Sequence, residues 1–335
     1  MNAPNPDGDA RAQRYAIAET LLASPPPLDA LAPGRAEVLT RSVVHASRTR
    51  PVVRWTVTLD SGSGTSAPLA VIGKGYRAGG GEQVWRLLKS LRQAGFGDSE
   101  LSVPAPYGFD PSRQLLTQEE APGTTLHSLL EGDPGSAAPE AGRAGRWLAR
   151  LHHVKGVHAP ELAADFERRK LTEYAEALAG LLPHAAGRLA ELTAATLEEL
   201  ARAGGSRVLT HGDFQPKNIH LDRHRLVVID FDRAAWAPAG RDIGHFIGQT
   251  LTMGASRHGS LAAAASWLDT FLEGYSGAGG EEGAVRSAPA YVARTFAEVL
   301  FYRLVVRPVP DSSFLPDWLD SWEGAVSAAA GGRYR

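Results

Sequence analysis

Leu209-Thr210-His211-Gly212-Asp213-Phe214-Gln215-Pro216-Lys217-Asn218-Ile219-His220 is the stretch from which the rest of this chain can be read. An apolar, strand-like piece runs into a polar loop, and Asn218 follows Asp213 at a distance of five positions. A second apolar run, Val227-Val228-Ile229, ends in Asp230-Phe231-Asp232, with Asp230 seventeen residues beyond Asp213. Singly, such residues have ordinary roles, because an Asp in a loop caps turns and an Asp at a strand end initiates them. The order matters more: strand, polar loop, Asn, strand, Asp.

That order supplies the parts of phosphoryl transfer. An acceptor hydroxyl must be aligned with a γ-phosphate and lose its proton as the new bond forms, which is work for a carboxylate within hydrogen-bond reach. Asp213 is the candidate base. Nucleotide phosphates need Mg²⁺, a hard cation that takes oxygen donors such as an amide or a carboxylate. Asn218 and the strand-end Asp230 are candidate donors.

Upstream of this stretch the pattern is different. Residues 10–23 predict a short helix stopped by Ser24-Pro25-Pro26-Pro27, read as a loosely attached leader. Val-rich runs at 52–59 and 69–72 flank the turn-rich Asp60-Ser61-Gly62-Ser63-Gly64-Thr65 and predict an antiparallel β unit. Gly79-Gly80-Gly81 breaks it, after which Val84, Leu87, Leu88 and Leu91 recur at helical spacing. Beyond residue 123, helical patterns dominate at 144–153, 166–182, 186–203, 243–252, 261–275 and 291–306. The fold class is therefore α+β. It has a leader over 1–35, a small β-rich lobe over 36–118 and a larger, mainly helical lobe over 119–335.

Composition narrows the partners. Across 335 residues, 35 Lys and Arg face 37 Asp and Glu, and the scattered charge leaves no footprint for nucleic acid or an anionic membrane. A hydrophobic share of 43% with 21% charged residues fits a folded globular protein. With no cysteine, disulfide scaffolds, thiol nucleophiles and thiolate metal sites are excluded. The amino-terminal residues carry acids and no apolar run, so a cytoplasmic location is expected. The apolar stretch 291–306 holds Arg294, Glu298 and Arg303, and reads as a buried amphipathic helix, not a membrane span. His152-His153 and His220/His224 lack clustered carboxylate partners and read as structural or solvated. The sequence carries no signal for an oligomeric state.

The HGDxxxxN loop and the following IDFD resemble the aminoglycoside phosphotransferase and choline-kinase-like family, relatives of protein kinases, over about residues 36–325. The resemblance implies a protein-kinase-like two-lobed fold, ATP or GTP as donor, Mg²⁺ held by Asn218 and Asp230, and Asp213 as base. It implies that Lys74, in Val71-Ile72-Gly73-Lys74, contacts the α- and β-phosphates and pairs with Glu82, with Arg77 as the nearest rival. Backbone groups around Glu119 and Ala121, in the hinge-like Leu115–Gly123 segment, would bind the adenine edge. Lys217 is a candidate for the γ-phosphate, a solvated loop lysine being the alternative. Asp242 is expected to cap a helix and support the catalytic loop.

There are departures from the protein-kinase pattern. No GxGxxG occurs between residues 36 and 59, where Arg41–Ser47 stands instead, and there is no APE segment or activation loop, so a protein acceptor loses support. Gly62–Ala67 echoes a dinucleotide fingerprint but reads as a hairpin turn, and Gly73-Lys74-Gly75 lacks the rest of a P-loop. The expected acceptor is a hydroxylated small molecule, most readily an aminoglycoside or related antibiotic. Asp269, Glu273, Glu281, Glu282, Asp317, Asp320 and Glu323 are acids that would hold a polycation if they were not merely solvated. Trp318, Trp322 and Tyr302 would stack on a ring or methylammonium group, or else pack the core. The alternatives are a metabolic kinase for choline, homoserine, a sugar or a nucleoside-like product, and a catalytically silent nucleotide binder. Retention of Lys74, Asp213, Asn218 and Asp230 argues against silence.

Overall fold

The valines of residues 52–59 alternate with polar side chains, and a period of two sends Val53, Trp55 and Val57 to one face of a strand. All three are buried. The computed structural model describes residues 6–31, 36–60, 67–97, 99–309 and 312–331. It divides into two units, one of residues 1–122 with 227–232 and the other of 123–226 with 233–335. The Gly62–Ala67 turn reading lies almost wholly outside the described residues.

In the first unit, helix α1 (Pro6–Leu22) precedes strands β1 (Ala36–His45), β2 (Val52–Leu59) and β3 (Leu69–Gly75), helix α2 (Gly81–Leu91), a π-helical turn at Arg92–Phe96, and strands β4 (Leu101–Ser102), β5 (Pro106–Asp110) and β6 (Leu115–Glu119). Five of the strands form an antiparallel sheet in the order β1-β2-β3-β6-β5. Val84, Leu87, Leu88 and Leu91 of α2 are buried, as their spacing requires. The leader is not loosely attached. Ala18, Leu21 and Leu22, on one face of α1, join Val53, Trp55, Val57, Val71, Tyr107 and Leu115 in a single core.

The second unit opens with β7 (Thr124–Thr125) and α3 (Leu126–Leu129), then continues through α4 (Ala138–His152), α5 (Phe166–Leu181) and α6 (Ala186–Arg202). Strands β8 (Arg207–Thr210) and β9 (Ile219–Leu221) frame the catalytic-loop sequence. β10 (Leu226–Val228) leads into the 227–232 segment of the first unit. β11 (Ala235–Pro238), α7 (Gly240–His258), α8 (Ala265–Gly277), α9 (Glu282–Phe301), a π-helical turn at Tyr302–Val306 and α10 (Leu315–Gly331) complete the unit. β11 pairs antiparallel with β8. Trp318 and Trp322 are buried, their indole N–H groups donating to the Phe296 carbonyl and the Thr196 hydroxyl, so they pack the core and do not face a ligand. Among the described residues, no helix is long and apolar enough to cross a membrane.

Candidate active site

β8 delivers the loop, and buried contacts hold it from both sides. The N–H groups of His211 and Gly212 donate to the two carboxylate oxygens of Asp242, at 2.7 and 2.9 Å. Gly212 has φ of +80°, and a Cβ there would lie 2.1 Å from the Arg233 carbonyl oxygen, so only glycine fits. Phe214 stacks on Trp147 at 5.6 Å and packs against Phe246 and Phe271. Asp213 is thus fixed between a pinned glycine and a core aromatic ring. Asp242 does not cap its helix. It is the third residue of α7, where Ala239 holds the cap position, and its carboxylate reaches across to the loop backbone. Its full burial disfavours the charge, but the His152 N–H and nearby cations hold it ionised. Tyr275 donates to the other His152 ring nitrogen at 2.9 Å, so His152 is a structural relay.

The Asp213 carboxylate accepts from Gln215 Nε2 and Asn218 Nδ2, both at 3.1 Å, and from His245 Nε2 at 3.1 Å. Arg233 lies 3.9 Å away. Burial pushes the Asp213 carboxyl up, but the His245 hydrogen bond and the charges around it bring it well below the usual carboxylate range. Asp213 is therefore ionised at neutral pH and ready to accept. Gly244 lets α7 approach α9, since a Cβ there would lie 2.4 Å from that of Tyr291. That approach sets His245 between Asp213 and Glu298, the latter 3.6 Å from Nδ1. Asn218 also donates to the Asp213 carbonyl at 2.9 Å. Because both bonds use its amide nitrogen, the amide oxygen is the atom available to a hard cation.

In the first unit Lys74 Nζ reaches Asp230 at 2.5 Å and Asp232 at 2.8 Å. Arg50 and the Tyr76 hydroxyl also donate to Asp232, the latter at 2.7 Å. Burial and the two carboxylates push the Tyr76 phenol well up, so it stays a donor. Asp230 has φ of +71°, a left-handed backbone uncommon outside glycine, which turns its carboxylate off the strand end. The expected Lys74–Glu82 pair is not formed. Glu82 bonds Arg86 one turn along α2 at 2.6 Å, because an i,i+4 partner is the nearest cation to a helix glutamate. Glu119 ends β6, where it exchanges bonds with Ala105: its N–H donates to the Ala105 carbonyl and its carboxylate accepts from the Ala105 N–H. Ala121 follows two residues later, near the end of the unit.

A family model described as the phosphotransferase enzyme family matches residues 69–286. The chain belongs to this family. No curated protein matches the sequence. Among solved structures, a choline/ethanolamine kinase family protein from Mesorhizobium loti is 15% identical, with a TM-score of 0.60 over 97% of this chain and 98% of that one. A putative fructosamine-3-kinase from Thermobifida fusca is 16% identical, with a TM-score of 0.53 over 96% and 99%. A spectinomycin phosphotransferase solved with ADP and spectinomycin is 13% identical, with a TM-score of 0.53 over 88% and 94%. These likenesses establish the protein-kinase-like α+β fold. The chain is thus a phosphotransferase.

Asp213 of this phosphotransferase lines a cavity of about 710 Å³ inside the second unit, together with Lys217, Arg233, Tyr302 and Glu298. None of the seven late acids lines it. Asp320 and Glu323 pair with Arg188, and Glu282 pairs with Arg286. Sequence reasoning missed His245, Glu298, Arg233 and Tyr76. His245 stands three residues after Asp242 on α7, yet only the packing of α9 shows what it touches.

Proposed function

We propose that this phosphotransferase moves the γ-phosphoryl group of Mg-ATP, with GTP as an alternative donor, to a hydroxyl of a small molecule seated in the cavity beside Asp213. The observation that carries the reading is an ionised Asp213, aimed by Gln215, Asn218 and His245, on the wall of an acceptor-sized cavity. The acceptor O–H donates to Asp213. As its oxygen bonds to the γ-phosphorus, the bond to the bridging oxygen of ADP breaks and the proton passes to the carboxylate. A base with so low a pKa takes that proton only once the new bond is well advanced, so its first task is orientation.

Lys74 binds phosphate oxygens in this reading, and backbone groups around Glu119 and Ala121 hold the adenine edge, while Lys217, first a candidate for the γ-phosphate, lines the acceptor cavity. The donor set suits magnesium, being an amide oxygen from Asn218 and a carboxylate from Asp230. When bound, the metal supplies charge neutralisation on the phosphate oxygens. Glu82, engaged with Arg86, drops out. The aminoglycoside expectation, which came with the family resemblance, loses one support, because none of the late acids that would have held a polycation lines the cavity. A metabolic kinase or a non-cationic antibiotic as acceptor fits better.

The test is ADP release with Mg-ATP across hydroxylated acceptors of every charge. Asp213→Ala is expected to cut acceptor-dependent turnover by roughly 10²–10⁴-fold, with a nucleotide-induced thermal shift retained. Undiminished turnover in the variant would remove Asp213 from the chemistry.

A further inference from the structure

We infer that the acceptor carries an anionic group, a carboxylate or a phosphate, besides the hydroxyl that reacts, and that Lys217, Arg257 and Arg307 bind it; this deepens the phosphotransferase reading of the cavity and rests on it.

The cavity wall is strongly cationic. Lys217, Arg233, Arg257, Arg303 and Arg307 face two carboxylates, Asp213 and Glu298. Glu298 is already neutralised by Arg294, with which it pairs on α9, and by Arg233 at 3.3 Å. Arg303 has a structural partner set: it donates to the Ser256 hydroxyl and lies over the Phe314 and Trp318 rings at 4.4 and 5.6 Å. Three cations remain. Arg257 reaches Glu131 at 2.8 Å, but both side chains are about half exposed, and such a pair holds a guanidinium weakly. Among the described residues, neither Lys217 nor Arg307 has an ion-pair partner within 4.0 Å.

These groups also feel one another. Partial burial and then the charges of Arg257 and Arg307 pull the Lys217 ammonium down. Burial, Lys217 and Arg257 do the same to His127, which lines the same cavity. Like charges gathered around a concavity repel, and the carboxylates at hand, Asp213 beside Lys217 and the half-exposed Glu131 beside Arg257 and His127, offset them only in part. An anion in the cavity would relieve the rest. Guanidinium forks on Arg257 and Arg307 match a carboxylate or phosphate in two-bond geometry, and Lys217 adds a point charge next to Asn218.

The local backbone is built for this display. After α9 the helix widens into a π turn, where the Arg307 N–H donates to the Tyr302 carbonyl at 2.8 Å. The wider turn shifts the side-chain register, so Tyr302 and Arg307 both face the cavity. The Arg307 guanidinium lies 5.7 Å from the Tyr302 ring centroid. A ring able to cradle a quaternary ammonium is thereby covered by a cation, and among the described residues the lining holds no other Phe, Tyr or Trp. Choline and polycationic aminoglycosides meet repulsion here.

The test uses the full chain in the presence of Mg-ADP and four polyhydroxylated probes of different charge, each built on a six-carbon sugar chain: gluconate, glucose 6-phosphate, neutral sorbitol and cationic N-methylglucamine. Binding is read by calorimetric titration. At least one of the two anions is expected to bind, and which one it is separates a carboxylate site from a phosphate site. Arg257→Gln and Arg307→Gln, both at exposed positions, are each expected to weaken that anion at least tenfold, and Arg307→Glu to turn the preference toward N-methylglucamine. Preference of the unaltered protein for sorbitol or N-methylglucamine overturns the inference. So does anion binding that survives both Gln substitutions and is displaced by ATP, which would place the anion in the nucleotide site. Failure of both anions in a protein that still binds Mg-ATP overturns the inference alone; failure of Mg-ATP to bind overturns the phosphotransferase reading beneath it.

Discussion

Asp213 shows how a carboxylate is kept charged in a partly buried place. Burial opposes ionisation, and the His245 N–H, with help from Arg233 and His211, outweighs it. His245 is a positioning residue, since it acts on Asp213 and not on substrate. Without its hydrogen bond the effect of burial is no longer balanced, so the Asp213 carboxyl must rise. His245→Leu, which has no donor, is therefore expected to move the acidic limb of the kcat/KM profile upward by about one pH unit. An unmoved limb would make His245 a packing residue only. Asp213, Lys217 and Asn218 were legible in the sequence because five bonded residues fix their separation. The partner of Lys74 was not. Glu82 lies eight positions away on the next helix, while Asp230 and Asp232 arrive from more than 150 residues along the chain.

Helices and strands were read well where burial is periodic and poorly where a boundary hangs on tertiary contact. α2 and β2 follow from their patterns, but α9 starts nine residues before the Tyr291 expected from sequence, with Pro289 inside the helix. α1 illustrates the same limit. Its hydrophobic face is only Ala18, Leu21 and Leu22, too little to announce a core helix, yet the sheet buries all three. Leu21→Ala should destabilise the first unit by about 2–3 kcal/mol, in the lower range for a buried leucine. Urea unfolding followed through Trp55, which shares that core, measures it. An unchanged midpoint would restore the loosely attached leader.

The second unit is tied across three helices by a chain of charges. Glu167 of α5 accepts from Arg241 of α7 at 2.9 Å and from Arg294 of α9 at 2.8 Å, and Arg294 also holds Glu298. Burial would raise the Glu298 carboxyl, but Arg294, His245 and Arg233 bring it down to about 2. A folded-state pKa below the unfolded value of 4.5 means that the unfolded chain binds more protons in between, so this stability is complete above pH 4.5 and is lost as pH falls toward about 2. Denaturation midpoints measured from pH 6 to 2 should fall through that window, and Glu298→Gln should flatten the fall. Equal slopes in both proteins would detach Glu298 from acid stability. The same helix packing decides the charge of the cavity, and here the sequence is silent: 35 cations and 37 anions can be paired in very many ways, and composition reports only their near balance. What the sequence by itself determined was the order of β and α elements and the residues of the catalytic loop, since periodicity and covalent spacing act over short range. Which acids meet Lys74, which histidine meets Asp213 and which cations are left facing the cavity were decided by the tertiary structure alone, because each is a choice among chemically identical side chains that only distance in space can make.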